Sequence, residues 1–262
     1  MKINEYYSHS ADIHLNGSLA ALLPVIGIIG CYAALLHNKE ILILTFPFFV
    51  CSLLCFQIYL FQKKHSMVIK RNQADLETRK MEQTFIKARD FLVFPTNTTV
   101  PRLLFFYPEG NLAARIERMP RRLSDKRLSQ VFILYNSADK VMGHYIIQGR
   151  YSTRIDVYDA QREYLGCFQK RRLSWHSYQK ELLDASGKSK GQVKGSAAFM
   201  DEMVVGMNQQ VISRLRCGLM PLEWSRFFPN PNTPVLSFPI ELAEQEKLLQ
   251  LSFVLYEYCI ER

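Results

Sequence analysis

Two uncharged apolar runs, only four residues apart, constrain this chain more than any other feature. The first, Leu19–Leu36, reads LAALLPVIGIIGCYAALL, and the second, Ile41–Phe61, reads ILILTFPFFVCSLLCFQIYLF. At about 1.5 Å rise per residue each can cross a hydrocarbon core of about 30 Å, the first only just. The intervening His37–Glu40 is too short for anything but a tight loop, so the sequence predicts a two-helix membrane hairpin. A cleaved signal peptide fits poorly, because a polar tail precedes the first run and a second span follows at once. A buried soluble hairpin fits poorly as well, since both runs are long and uncharged. Pro24 and Pro47 are tolerated in spans whose neighbours re-satisfy the freed backbone groups.

Basic residues give the expected topology. Lys63, Lys64, Lys70 and Arg71 follow the second run, whereas the loop holds Lys39 balanced by Glu40. Lys and Arg near span ends favour the cytoplasmic side. Both termini are therefore expected in the cytoplasm. Gly27 with Cys31, and Gly30 with Ala34, stand four apart, a spacing that lets helices approach closely, although ordinary small residues in a span read the same way.

The formal net charge is +9. Residues 1–61 hold two basic side chains and three acidic ones, so the rest of the chain carries all the excess. A basic domain tethered at a membrane is suited to anionic headgroups, at about 1 kcal/mol per well-placed cation. Basicity that merely aids solubility and orientation is the competing explanation. The six cysteines form no C-x-x-C pair, which argues against a zinc site or a disulfide framework and suits a reducing compartment.

Five segments are expected. They are a poorly ordered cytoplasmic tail (1–18), the hairpin (19–61), a basic juxtamembrane helix (62–94), a linker around PTNTTVP (95–101) and a β-domain (102–262). Gln62–Asp90 has eight basic and four acidic residues, with no Pro or Gly. Met81, Phe85, Ala88 and Leu92 lend it a weak apolar face. Beyond the linker come short apolar runs: Leu103–Tyr107, Gln130–Tyr135, Val141–Ile147, Arg154–Tyr158, Tyr164–Gln169, Leu182-Leu183, Gln192-Val193, Ala197–Met200, Met203–Met207 and Val211–Leu215. Asp/Asn/Gly turns or polar breaks such as Asp201-Glu202 separate them, which is the mark of antiparallel strands. Pro239–Ile260 is expected as a helix, with Pro239 in its first turn and Glu241, Glu244 and Glu246 near its N-terminus. From Leu248 to Ile260 that helix is apolar nearly all round, too short for a span and therefore buried in protein.

The fold class is thus α+β: a transmembrane helical hairpin, then an antiparallel β-barrel-like domain enclosing an apolar C-terminal helix. The phrases RIDVYDAQREYLGCF (Arg154–Phe168) and ELLDASGKSKGQVKG (Glu181–Gly195), together with the terminal helix, resemble the tubby C-terminal superfamily. That superfamily includes the phospholipid scramblases and the LURP-one-related proteins. The resemblance covers Gln130–Arg262 and implies hairpins closing around a central helix. Animal scramblases carry one span after the barrel, whereas here a hairpin precedes it. No phosphoinositide-coordinating residue of the tubby proteins maps onto this chain.

Gly187-Lys188-Ser189 looks like the end of a P-loop, but position 182 is Leu where the loop needs Gly. Neither H-E-x-x-H nor G-x-S-x-G occurs. His144 and His176 are isolated, and Asp156 and Asp159 lack a partner set. No catalytic, cofactor or metal site is therefore expected. Arg121-Arg122 and Lys170-Arg171-Arg172 lie near aromatics such as Trp175 and Tyr178. With Lys63, Lys64, Lys70 and Arg71 they are the candidate contacts for anionic lipid. The expected function is a membrane-anchored cytoplasmic binding module for anionic lipid or a membrane-associated protein. The alternatives are a scramblase-like lipid-handling protein and, more distantly, a nucleic-acid binder.

Overall fold

A computed structural model describes residues 2–33, 39–74, 85–96, 101–120, 130–148, 153–173, 177–196, 201–218 and 220–260. The chain divides into two compact units, Met1–Arg79 and Lys80–Arg262.

In the first unit, α1 (Ile3–Cys31) and α2 (Phe46–Ala74) form an antiparallel hairpin, with a 3-10 turn at Lys39–Thr45 before α2. Both helices are long and apolar enough to cross a membrane, and only 6% of each most apolar window is buried. Leu23, Ile26, Phe46 and Phe61 all face outward. At about 1.5 Å per residue, 29 residues span about 44 Å, so each helix outruns the hydrocarbon core. The seam between them is small and polar. Ala11 and Ser18 are buried one heptad apart, and the Ser18 and Ser52 hydroxyls share a hydrogen bond of 3.0 Å. Farther along, Ser66 Oγ donates to the Asn4 carbonyl at 2.8 Å and the Tyr7 and His65 rings pack together.

This corrects one expectation. The tail is helical from Ile3, because α2 continues past the apolar run and offers the tail a packing partner. Of the two readings of Gly27 and Gly30, the ordinary one fits, since among the described residues nothing stands within 4 Å of where a side chain would start; Gly17, against Cys55 Sγ, lies on the seam instead.

The second unit is a closed barrel of twelve strands, each antiparallel to its neighbours. In order they are β1 (Asp90–Thr96), β2 (Arg102–Phe106), β3 (Leu112–Arg118), β4 (Gln130–Asn136), β5 (Val141–Gln148), β6 (Arg154–Asp159), β7 (Tyr164–Arg172), β8 (Tyr178–Asp184), β9 (Ser189–Ser196), β10 (Asp201–Val205), β11 (Val211–Arg216) and β12 (Val235–Ser237). Strand β12 pairs with both β11 and β1, which closes the ring and leaves no edge.

One end of the barrel is built from five copies of the same turn: 107–111, 136–140, 159–163, 184–188 and 206–210. In each, the first residue's N–H donates to the fifth residue's carbonyl and the fourth residue's N–H donates back to the first. The fourth residue (Gly110, Asp139, Arg162, Gly187 or Gln209) always has positive φ, and each hairpin carries a bulge beside its turn. This is a type I turn completed by an αL residue. Side chains close three of them: Asn136 Oδ1 accepts from Ala138 and Lys140, Asp159 Oδ1 from Glu163, and Asp184 Oδ1 from Ser186 and Lys188. Four residues after each αL position stands a small one: Ala114, Gly143, Gly166, Gly191 or Ser213. At this level a Cβ on Gly143 would meet the Leu248 side chain at 3.4 Å. The space is filled by the last helix.

That helix, α3 (Glu244–Cys259), threads the barrel, and every residue from Lys247 to Tyr256 is buried. Its Leu248, Leu251, Phe253, Val254 and Leu255 pack against inward-facing Phe91, Phe105, Phe132, Ile155 and Phe168 in one core. Tyr145 Oη donates to the Leu248 carbonyl at 3.0 Å, and Ser213 Oγ donates to Gln250 Oε1 at 2.7 Å. Lys247 Nζ donates to the carbonyls of Phe85, Ile86 and Ala88 and sits over the Phe238 ring at 5.3 Å. These bonds pin the segment before β1 to the helix, and burial lowers the ammonium's pKa.

Several boundaries differ from the sequence reading. Of the helix expected over 62–94, residues up to Ala74 are helical, 75–84 lie outside the described residues, and 90–94 belong to a strand. Asp90–Thr96 takes in Pro95 and Thr96 of the expected linker and closes the barrel. It is apolar on both faces: Phe91 and Val93 point to the core, while Phe94 stacks against Phe106 and Phe228 outside it. Pro95 is tolerated because β12 pairs only with Asp90–Leu92, so nothing opposes the proline on that side. Asp201 and Glu202 lie within β10 rather than in a turn, and Pro239 lies before the helix rather than in its first turn.

Candidate functional site

Strand direction sorts charge between the two ends of the barrel. The five short turns and the start of α3 share one end. There Asp159, Glu163, Asp184, Glu241, Glu244 and Glu246 outnumber Lys140, Lys188 and Lys190 around two cavities. The remaining connections and the end of α3 share the other, where Lys170, Arg171, Arg172, Lys180 and Arg214 gather. This follows the helix macrodipole, which favours anions at the N-terminus and cations at the C-terminus.

At the basic end the chemistry has an inner and an outer layer. Lys170 and Lys180 stand directly opposite each other on β7 and β8. Two like charges at such a pair are destabilising unless compensated. Lys180 Nζ donates to Glu257 Oε1 at 2.6 Å and Glu202 Oε1 at 3.2 Å. Lys170 Nζ donates to Tyr256 Oη at 2.6 Å and lies over the Tyr178 ring at 4.6 Å. Glu202 is buried, and its Oε2 has no hydrogen-bond partner among the described residues. Just outside, Asp201 holds Arg214 through two bonds of 2.8 and 2.6 Å, which keep its carboxyl below the usual range. Burial pushes the neighbouring Cys259 thiol up to about 11.

The outer layer is the β7–β8 hairpin. Arg171 and Arg172 are exposed, as are Leu173 at 62% and Tyr178 at 51%. Met119 at the end of β3 is 52% exposed toward the same end. A cationic rim set with exposed apolar tips can embed in headgroups while its charges meet phosphates.

The residues singled out from the sequence are thus distributed unequally. Lys170 turns inward to Tyr256 and is half-buried, whereas Arg171 and Arg172 remain on the surface. Lys64, Lys70 and Arg71 are exposed on α2, with Lys63 half-buried. Seven-residue spacing aligns Lys63 with Lys70 and Lys64 with Arg71, and exposed Met67 lies within the same arc. Arg121 and Arg122 fall outside the described residues. Sequence reasoning missed the largely buried cluster of Lys180 with Glu202 and Glu257. The available signal was period-two alternation, which puts Lys180 on the same face of β8 as core Leu182.

No family model matches the sequence, and no curated protein matches it significantly. Among solved structures, the chain is similar to the X-ray structure of a protein from Arabidopsis thaliana, AT5G01750, at 14% identity and a TM-score of 0.40. The match covers 64% of this chain and 90% of that one. So loose a likeness carries no argument about function.

Proposed function

We propose that the chain is a membrane-anchored binding module whose barrel, of the tubby C-terminal type, contacts anionic lipid through its basic end. The observation that carries this reading is the β7–β8 hairpin, where exposed Arg171 and Arg172 flank exposed Leu173 and Tyr178. Cations alone are a solvated surface; cations beside protruding apolar side chains suit a bilayer interface. The basic arc of α2, with Met67 among its lysines, supports the same environment from the other unit. The tubby-type assignment rests on the closed barrel threaded by its C-terminal helix, the architecture that the resemblance implies. The module binds and does not catalyse, and both termini face the cytoplasm.

The test is cosedimentation of the Lys80–Arg262 unit with vesicles of phosphatidylserine and phosphatidylcholine. Binding is expected at low salt and is expected to weaken as salt screens the contact. Arg171→Glu with Arg172→Glu should abolish it, and Leu173→Ser should weaken it. Failure of the intact unit to bind anionic vesicles at low salt overturns the reading.

A further inference from the structure

The larger cavity, about 1000 Å³, lies at the acidic end, away from the proposed lipid-contact surface. Its inner wall is the approach to α3 and the helix's first turns, and its outer wall is the rim of the β6–β7, β8–β9 and β10–β11 hairpins. We propose that this cleft binds a small zwitterionic molecule with an apolar body.

Three observations converge. The first is the apolar floor. Leu165, Ile212, Leu242 and Leu249 line the cavity and pack on the barrel core beneath it. The second is a buried polar anchor. Gln250 is only 3% exposed yet lines the cavity. One end of its amide is taken by Ser213 Oγ at 2.7 Å, and the other has no partner among the described residues. The amide nitrogen at that end is not enclosed as the buried orphan atoms elsewhere are; it opens on the cleft, where a ligand's acceptor can replace water. The third is opposed charge held apart. Glu241, which also meets Arg89 at 3.8 Å, and Glu246, which also accepts from the Ala243 N–H at 3.3 Å, stand on the inner wall and Lys188 and Lys190 on the outer, and among the described residues no ion pair joins the two walls. Asp184 is committed to its own turn through Ser186 and Lys188. A ligand's cationic group facing the glutamates and its anionic group facing the lysines would meet a charge of opposite sign on each wall. The cavity sits at the upper end of the usual range for small-molecule sites.

Two sources share this chemistry, a zwitterionic lipid headgroup and a free peptide or amino acid. Calorimetric titration of the full-length chain in a maltoside detergent separates them, with monomeric hexylphosphocholine and leucyl-leucine as probes. Hexylamine and hexanoate serve as singly charged controls. At least one zwitterion should bind about tenfold more tightly than either control. Hexylphosphocholine alone binding upholds the site with a lipid source, and leucyl-leucine alone binding upholds it with a peptide source. Lys188→Ala with Lys190→Ala, and Glu241→Gln with Glu246→Gln, should each weaken the preferred zwitterion by about tenfold. Gln250→Met should weaken it too, with cooperative thermal unfolding confirming that the variant folds. Arg171→Glu with Arg172→Glu should leave this binding unchanged, so it stands or falls apart from the lipid-surface reading. The proposal is overturned if neither zwitterion binds at millimolar concentration. It is equally overturned if both controls bind as well as the zwitterions, or if neither double variant changes the affinity.

Discussion

The two ends of the barrel solve the same problem, returning the chain to an antiparallel neighbour, in opposite ways. At the acidic end five turns of one design do it, each with a single αL residue and a bulge. At the basic end the connections share no common length, running from four residues between β9 and β10 to eighteen between β11 and β12, where Phe228 returns to pack on Phe94 outside the core. Local hydrogen bonds hold the first end. A charge network inside the lumen, Lys180 with Glu202 and Glu257, holds the second. Turn geometry can therefore be read residue by residue, while the basic end depends on side chains far apart in sequence.

This contrast can be broken first by removing what both ends share. Deleting Leu248–Arg262, or starting the barrel at residue 97 so that β1 is lost, should abolish cooperative unfolding of the Lys80–Arg262 unit by calorimetry. Either deletion leaves the core open or the ring unclosed. A truncated unit with an unchanged midpoint would make the helix or the strand peripheral. Phe253→Ala, fully buried at the centre of the helix, should then cost about 3–5 kcal/mol in denaturant unfolding.

Next come changes confined to one end. Lys180→Met removes the bonds to buried Glu202 and to half-buried Glu257, and should cost about 2 kcal/mol, between an exposed pair and a fully buried one. At the other end Gly187→Ala should cost only about 1 kcal/mol, because φ is +82° but the space beside it is open. Gly166→Ala should exceed Gly187→Ala in the same assay, since its Cβ would also lie 2.1 Å from the Leu183 carbonyl oxygen. Equal losses at the two glycines would show that the close approach has no energetic weight.

The smallest expected effect is in pH. Hydrogen bonds from the Ser186 side chain and the Lys188 backbone hold the Asp184 carboxyl below its ordinary value, and Arg214 does the same for Asp201. A carboxyl depressed in the folded state contributes stability above its unfolded pKa and loses it as pH falls through the folded value. The loss therefore falls below about pH 4. Thermal midpoints measured down that limb should fall less steeply for Asp184→Asn and Asp201→Asn than for the parent. Parallel curves would remove these two groups from the acid limb.

Much of the fold was legible. The hairpin, most of the strands and the burial of the last helix follow from periods of 3.6 and 2 and from turn residues such as Asp159 and Asp184, all of them local signals. Strand β1 was not, because DFLVFPT has no alternation and adjoins a charged, helix-favouring stretch; only burial on both faces makes it a strand. Strand β12, three residues long, was missed for want of length. Of the candidate site, Arg171 and Arg172 were visible as a cluster with Lys170; alternation along the strand sets only Arg171 apart from Lys170, and not Arg172. Alternation and the arrival of Tyr256, 86 residues away, draw that lysine inward.

What the sequence by itself determined is therefore what depends on neighbours along the chain: two apolar helices, a series of hairpins and an apolar terminal helix. Tertiary structure alone decided where charge collects, because that depends on which ends the strands share once the ring closes. It also decided which cations are drawn inward, since Lys170 meets Tyr256 and Lys180 meets Glu257 only when α3 enters the barrel, and Lys247 arrives on α3 itself. The cleft beside Gln250 belongs to the same class: it exists because the helix enters the barrel without filling the space out to the hairpin rim.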